Sequence, residues 1–259
     1  MSAGRLSVIG LLLGTLAASP RAAGGMEPEL AAPRWEFAPE VSYFRYVEPG
    51  IMKDSGVLYG VAGSHTRYRQ DKLLRVEAGL AFGYVDYEGA LIDGTPYTMK
   101  GCRDFLVNLR ALCGRLGQTG GWDRQLYAGL GYRALIDDST QDPAGYVRMS
   151  NYFYAPLGLK VYHNLAGGWQ VALGGELDLL LLGVQISDVS EDGTVTNVQW
   201  PGFGVRASVE VRRRTLATDL ALAPFVQYWW VEESSTSSDG WYEPRNNTLQ
   251  YGVSLIWRF

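Results

Sequence analysis

The side chains best able to do chemistry here are charged or amide groups falling at every second position of successive segments. They are Arg75 and Glu77; Asp104, Asn108 and Arg110; Arg133; Lys160; Glu176 and Asp178; and Arg206, Glu210 and Arg212. Acids and bases are interspersed among them. One reading is a charge-lined conduit or ligand pocket. The other is a salt-bridged plug, because polar groups in a narrow interior must pair with one another or with water.

Catalysis by a nucleophile finds less support. His65 lies between Ser64 and Thr66 in the lower half of a strand, and His163 falls at a strand end remote from the surface loops. No His-x-Ser or loop Asp-His arrangement is present, so a triad would lack its usual base. No catalytic residue is assigned and no enzyme is expected. Two cysteines and two distant histidines lack any ligand spacing, so neither a metal nor a cofactor is expected. Cys102 and Cys113 lie in one extended segment about 36 Å apart and cannot pair with each other, so both read as small packing residues. Gly129–Ala134 and Gly202–Ala207 match GxGxxA. They lack the strand-turn-helix setting that makes a phosphate cradle, so they read as strand glycines facing an interior. A net charge of −4 and a pI near 5.3 give no basic stripe for nucleic acid.

Period-two alternation identifies the elements that position these groups. It predicts strands near 36–48, 56–69, 73–87, 103–116, 124–136, 150–164, 168–185, 202–213, 219–232 and 247–259. In 73–87, Leu74, Val76, Ala78, Leu80, Phe82 and Tyr84 oppose Arg75, Glu77, Gly79, Ala81 and Gly83. The same split recurs in 103–116, 150–164, 168–185 and 202–213. Arg45, His65 and Arg67 leave the register of the first two strands open, and Pro156 and Pro224 mark bulges or ladder defects. Connections alternate in length. Those at 70–72, 117–123, 164–168 and 214–218 are short, whereas 49–55, 89–101, 137–149, 187–199 and 233–246 are longer and polar. The expected fold is all-β: an antiparallel up-and-down transmembrane barrel of about ten strands, with eight as the alternative.

The same alternation would suit a soluble barrel with its apolar face inside. Three features favour lipid on the apolar side. The polar face is glycine-rich with paired opposite charges, and only 19% of residues are charged, too few for a soluble surface. Aromatics such as Tyr84, Tyr132, Trp169, Tyr228, Trp229, Trp230, Tyr251 and Trp257 gather near strand ends, where interfacial girdles sit.

Residues 1–25 carry Arg5, the apolar run Val8–Leu16 and then small residues, the order of a secretory signal peptide. Residues 26–259 then form the barrel domain. No later apolar run is long enough to cross a bilayer as a helix, so a membrane-spanning form must be a closed barrel.

The final strand alternates Tyr251, Val253, Leu255, Trp257 and Phe259 with polar or small residues. It resembles the C-terminal strand of bacterial outer-membrane β-barrel proteins, in which these positions form a barrel-assembly signal. The whole is similar to small barrels of the OmpA/OmpX-like or Opa-like kind. That resemblance implies export to a Gram-negative outer membrane, contact with outer-membrane lipid and insertion by the barrel-assembly machinery, with no nucleic-acid partner. It implies no single activity. The loops at 187–199 and 233–246, the latter carrying Trp241 and Tyr242, are where a surface partner would bind. The leading expectation is a structural or surface-interaction barrel with a largely occluded polar lumen. The alternatives are a narrow pore for small solutes and an outer-leaflet protease or lipid A-modifying enzyme.

Overall fold

The computed structural model describes residues 34–91, 94–189, 193–236 and 240–259. The expected signal peptide, residues 1–25, lies outside them. The strands are β1 (Arg34–Glu48), β2 (Met52–Arg69), β3 (Lys72–Ala90), β4 (Pro96–Thr119), β5 (Trp122–Asp138) and β6 (Val147–Asn164). They continue with β7 (Trp169–Val189), β8 (Gly193–Gln199), β9 (Gly202–Arg214), β10 (Asp219–Val231) and β11 (Asn246–Arg258). Every pairing is antiparallel and joins chain neighbours, apart from the β1–β11 seam that closes the wall and the β7–β9 pairing. Among the described residues the one edge left without a ladder partner is that of the short β8, bridged only at Gln199 to Ser234.

β8 and β9 share one place in the wall. β8 pairs with Gly183–Val189 of β7 and β9 with Trp169–Leu179, on either side of a break at Trp200–Pro201. The closed barrel thus has ten strand positions. Three expectations need correction. The 187–199 segment is not simply a loop: β7 runs to Val189 and β8 begins at Gly193, forming a hairpin. The 49–55 connection shrinks to Pro49–Ile51, because β2 already begins at Met52. The 89–101 connection shrinks to Leu91–Thr95, because β4 begins at Pro96 and continues through a bulge. At that bulge Gly101 has φ +70°, and its N–H donates to Asp86 Oδ1 at 3.1 Å. The extra residue breaks the alternation there.

Away from the bulges the alternation fixes the facing. Leu80 is 59% exposed on the outer surface, whereas Glu210 is 2% exposed inside. A soluble barrel has the opposite arrangement. The register of the first two strands is now defined: Glu36, Ala38, Glu40, Ser42, Phe44, Tyr46 and Glu48 turn inward, and Arg45 turns outward. Trp229 is a further correction. It belongs to no outer girdle but is 1% exposed inside the barrel, because Phe225, Trp229 and Val231 form the inward set of β10.

Each proline interior to a strand sits at a gap in one ladder. The β5–β6 pairs stop between Leu157 and Tyr154, around Pro156. The β9–β10 pairs stop between Leu222 and Phe225, around Pro224. A residue without an N–H cannot complete those rungs.

Two tyrosines lie over glycines directly opposite them on β5 and β6. A Cβ on Gly158 would fall 2.2 Å from the Tyr127 ring, and one on Gly131 would fall 2.2 Å from the Tyr154 ring. Each ring lies flat against the neighbouring strand only because that glycine leaves room. Gly158→Val is expected to displace Tyr127 and destabilise the barrel by about 1–3 kcal/mol. Urea unfolding in lipid vesicles would measure the loss.

Candidate functional site

The inward faces build a lumen that can be followed from the short-turn end to the long-loop end. At the turn end a vestibule of about 520 Å³ is lined by Arg34, Tyr68, Tyr162, Arg212, Arg258 and neighbouring groups. Arg212 Nε donates to Asp219 Oδ1 at 2.6 Å.

Above it, charges of alternating sign run around and across the barrel. Glu176 on β7 accepts from Arg110 of β4 at 2.5 Å. Arg110 Nε donates to Glu77 at 2.6 Å, and Arg75 lies 2.6 Å from both Glu77 and Glu36. Arg258 Nε donates to Glu36 at 2.6 Å and its Nη2 lies 2.8 Å from Glu210, which also holds Lys160 at 2.6 Å. Four carboxylates and four cations thus form one continuous chain. Tyr127 and Ser64 donate to its carboxylates at 2.8 and 3.0 Å. Such a chain satisfies its own charges. Its members come from β1, β3, β4, β6, β7, β9 and β11, so it ties opposite walls together.

Against this chain lies a cavity of about 230 Å³, walled partly by small residues such as Gly60, Ala62, Gly79 and Gly174, with Asn108 and Arg206 among its lining. The Arg206 guanidinium sits 5.1 Å from the Phe225 ring centroid. Farther toward the loops the lumen is packed with apolar groups. Phe44, Leu58, Val85, Leu106 and Leu135 fill the β1–β5 side, and Tyr152, Tyr154, Leu180, Trp229 and Val231 the other. Tyr154 meets Trp229 edge-on at 5.1 Å. Arg133 and Asp178 are also buried, and neither oxygen of Asp178 has a protein partner.

The loop-end mouth holds a second polar cluster. Arg148 contacts Glu48, lies 3.1 Å from Asp137 and 3.3 Å from Asp54, and stacks on Tyr46 with 4.8 Å from guanidinium carbon to ring centroid. Asp104 is buried beside this group. The β10–β11 connection folds over it. Gln199 Nε2 donates to the carbonyls of Glu232 and Pro244 at 3.1 and 3.2 Å, and Ser234 N–H to Glu243 O at 2.9 Å. These bonds place Glu243 inside, where Tyr46 Oη donates to it at 3.4 Å.

Burial pushes the Glu243 carboxyl up to about 8, with Glu48 adding to the rise and Arg148 opposing it. The folded loop therefore holds a proton that the released loop would give up. Docking is at full strength below the ordinary carboxylate value of 4.5, weakens as pH rises toward 8, and levels off above that. Limited proteolysis of this loop should accelerate between about pH 5.5 and about pH 8.5, and Glu243→Gln should flatten the profile.

All twelve sequence-predicted polar residues face the interior, but they do not form one network. Arg75, Glu77, Arg110, Lys160, Glu176 and Glu210 join the ion chain. Arg212 belongs to the vestibule, Asp104 to the mouth, and Asn108, Arg133, Asp178 and Arg206 to the middle. Sequence reasoning missed Glu36 and Arg258, which complete the chain, and the mouth group Glu48, Asp54, Asp137, Arg148 and Glu243. Arg258 sits on the polar side of the last strand's alternation, a signal that could have found it. Cys102 packs in the apolar plug, whereas Cys113, on the same strand, faces outward.

Both histidines lie on the outer wall at the turn end. His65 packs on Trp35 with ring centroids 4.2 Å apart, and His163 stacks on Trp122 at 4.6 Å. With Trp169 and Trp257 these rings form a band around that rim.

No family model matches the chain, and no curated protein matches it. Solved structures do. The outer-membrane protease OmpT of Escherichia coli aligns with TM-score 0.54 at 8% identity, covering 88% of this chain and 96% of that one. A major outer membrane protein of Thermus thermophilus aligns with TM-score 0.40 at 12% identity, covering 87% of this chain and 99% of that one. The translocator domain of the autotransporter NalP of Neisseria meningitidis aligns with TM-score 0.39 at 13% identity, covering 88% of each. These similar structures are bacterial outer-membrane barrels, and the OmpT alignment shows that this chain shares the fold of that protein: a closed, antiparallel, up-and-down β-barrel.

Proposed function

We propose that this chain is an integral barrel of a Gram-negative outer membrane, with an occluded lumen and a structural or surface-interaction role. The observation that carries the reading is the double closure of the lumen. A charge chain that satisfies itself spans the turn-side half, and a packed apolar layer fills the loop-side half. Lipid would cover the outward leucines and valines. The barrel-assembly machinery would recognise Tyr251, Val253, Leu255, Trp257 and Phe259. Kinship with OmpA/OmpX-like or Opa-like barrels rests on that terminal pattern and on size, and ten strands exceed the eight of the OmpA/OmpX type. A surface partner would meet the β7–β8 hairpin and the β10–β11 loop, where Tyr242 is exposed. The reading is non-enzymatic, because both imidazoles are spent on the outer rim against tryptophan.

Planar-bilayer recording of the full chain tests this, with a closed baseline expected. Stable conductance steps that shift on neutralising Glu176 would replace it with the narrow-pore reading. The 230 and 520 Å³ cavities favour that second reading, because both border Glu36 and Arg75 of the chain that separates them.

A further inference from the structure

The outer wall carries charge at both rims, arranged in opposite ways. At the loop end the outward charges on neighbouring strands are complementary: Lys53 faces Glu88 across β2–β3 at 2.8 Å, and Arg103 faces Asp138 across β4–β5 at 2.8 Å. At the turn end the register places Arg69 opposite Lys72 and Lys72 opposite Arg115. Directly opposed residues share a face, so three exposed cations form one row across β2, β3 and β4, with Arg67 two residues farther along β2 on the same side. Like charges directly opposite one another destabilise a sheet. The only carboxylate near the row among the described residues is the exposed Asp71, 4.0 Å from Arg115. Among the described residues the row therefore carries one carboxylate against four cations, and its level on the wall is marked by interfacial aromatics: Trp35 with His65 on one flank, Trp122 with His163 on the other.

We infer that Arg67, Arg69, Lys72 and Arg115 form a docking site for the phosphate headgroups of anionic phospholipids in the leaflet at the turn end. The inference rests on the membrane reading above. Guanidinium groups bind phosphate oxygens in pairs, and a lysine between them adds a point charge. Together with Asp71, three phosphodiesters would balance the four cations, and each one bound relieves part of the self-repulsion. Zwitterionic lipid supplies the phosphate but no net charge, so selectivity follows net charge and weakens with salt. Each cation should add a preference on the order of five-fold.

The test uses the full-length mature chain in micelles containing equal phosphatidylglycerol and phosphatidylcholine, with retained lipids counted by native mass spectrometry. Wild type should retain phosphatidylglycerol selectively. The triple variant Arg69→Gln, Lys72→Gln and Arg115→Gln should lose that selectivity, whereas Lys53→Gln at the opposite rim should keep it. The triple variant should also unfold no more readily than wild type in phosphatidylcholine vesicles, since its self-repulsion is gone. Selectivity that survives in the triple variant, or is missing from wild type, would overturn the inference. Heat-modifiable migration of the same samples separates the two levels. A chain that inserts without lipid selectivity loses only the docking site, and one that never inserts loses the membrane reading as well.

Discussion

Replacing Arg110 with alanine is expected to cost about 3–5 kcal/mol of barrel stability. Arg110 is the link by which β4 reaches across the lumen to Glu176 on β7 while holding Glu77 on β3. Its removal leaves two buried carboxylates facing a space from which their counter-charge has gone. Tyr127 still donates to Glu176 and Arg75 still reaches Glu77, so the loss is partial. Urea unfolding in vesicles, followed by heat-modifiable gel migration, gives the number. Adding Glu77→Gln and Glu176→Gln to the alanine variant should recover part of it, because neutral amides cost less to bury than unpaired carboxylates. A single-variant loss below about 1 kcal/mol would mean that water already screens these groups and that the chain is no plug.

The second large effect lies on the outer wall. Leu80→Arg should cost about 2–4 kcal/mol and Leu74→Arg about 0–1 kcal/mol, because the penalty for a cation on the lipid face falls steeply away from the bilayer midplane. The two leucines share a face of β3 and are 59% and 56% exposed, so exposure alone would rank them equally. Leu74 lies one pleat from the rim residue Lys72, whereas Leu80 is mid-strand. In water both substitutions would be close to neutral. Unfolding midpoints in vesicles for the two variants thus separate hydrocarbon from aqueous surroundings. Equal, small effects would remove the membrane reading.

What could be read from the chain alone follows from where period two holds. Between Leu73 and Tyr84, or Phe203 and Arg212, one face is apolar without exception, and the facing read from sequence is the facing observed. Legibility fails where the backbone departs from that period. The bulge at Gly101 put Met99 and Cys102 on the same inner face despite their odd spacing, and the start of β4 read as loop. At Leu181 and Leu182 both side chains face outward, and the inward set resumes at Gly183 and Gln185. The mouth cluster was hidden for a different reason. Asp54, Asp137, Arg148 and Glu243 lie in polar segments whose composition says turn, and only the sheet register and the inward fold of the β10–β11 loop bring them together. Glu36 lies in a strand whose facing the sequence leaves open.

Closure of the wall at the β1–β11 seam carries a temporal consequence. Trp35 and Phe259 exchange backbone hydrogen bonds at 2.9 and 3.1 Å, so β1, paired on one side with β2, finds its second neighbour only in β11, the barrel strand made last. Until then β1 has an unsatisfied flank, and the wall stays open. The circle can therefore be completed only in a late event, after β11 has been made, and before it the growing sheet carries a flank open to pairing with its own kind.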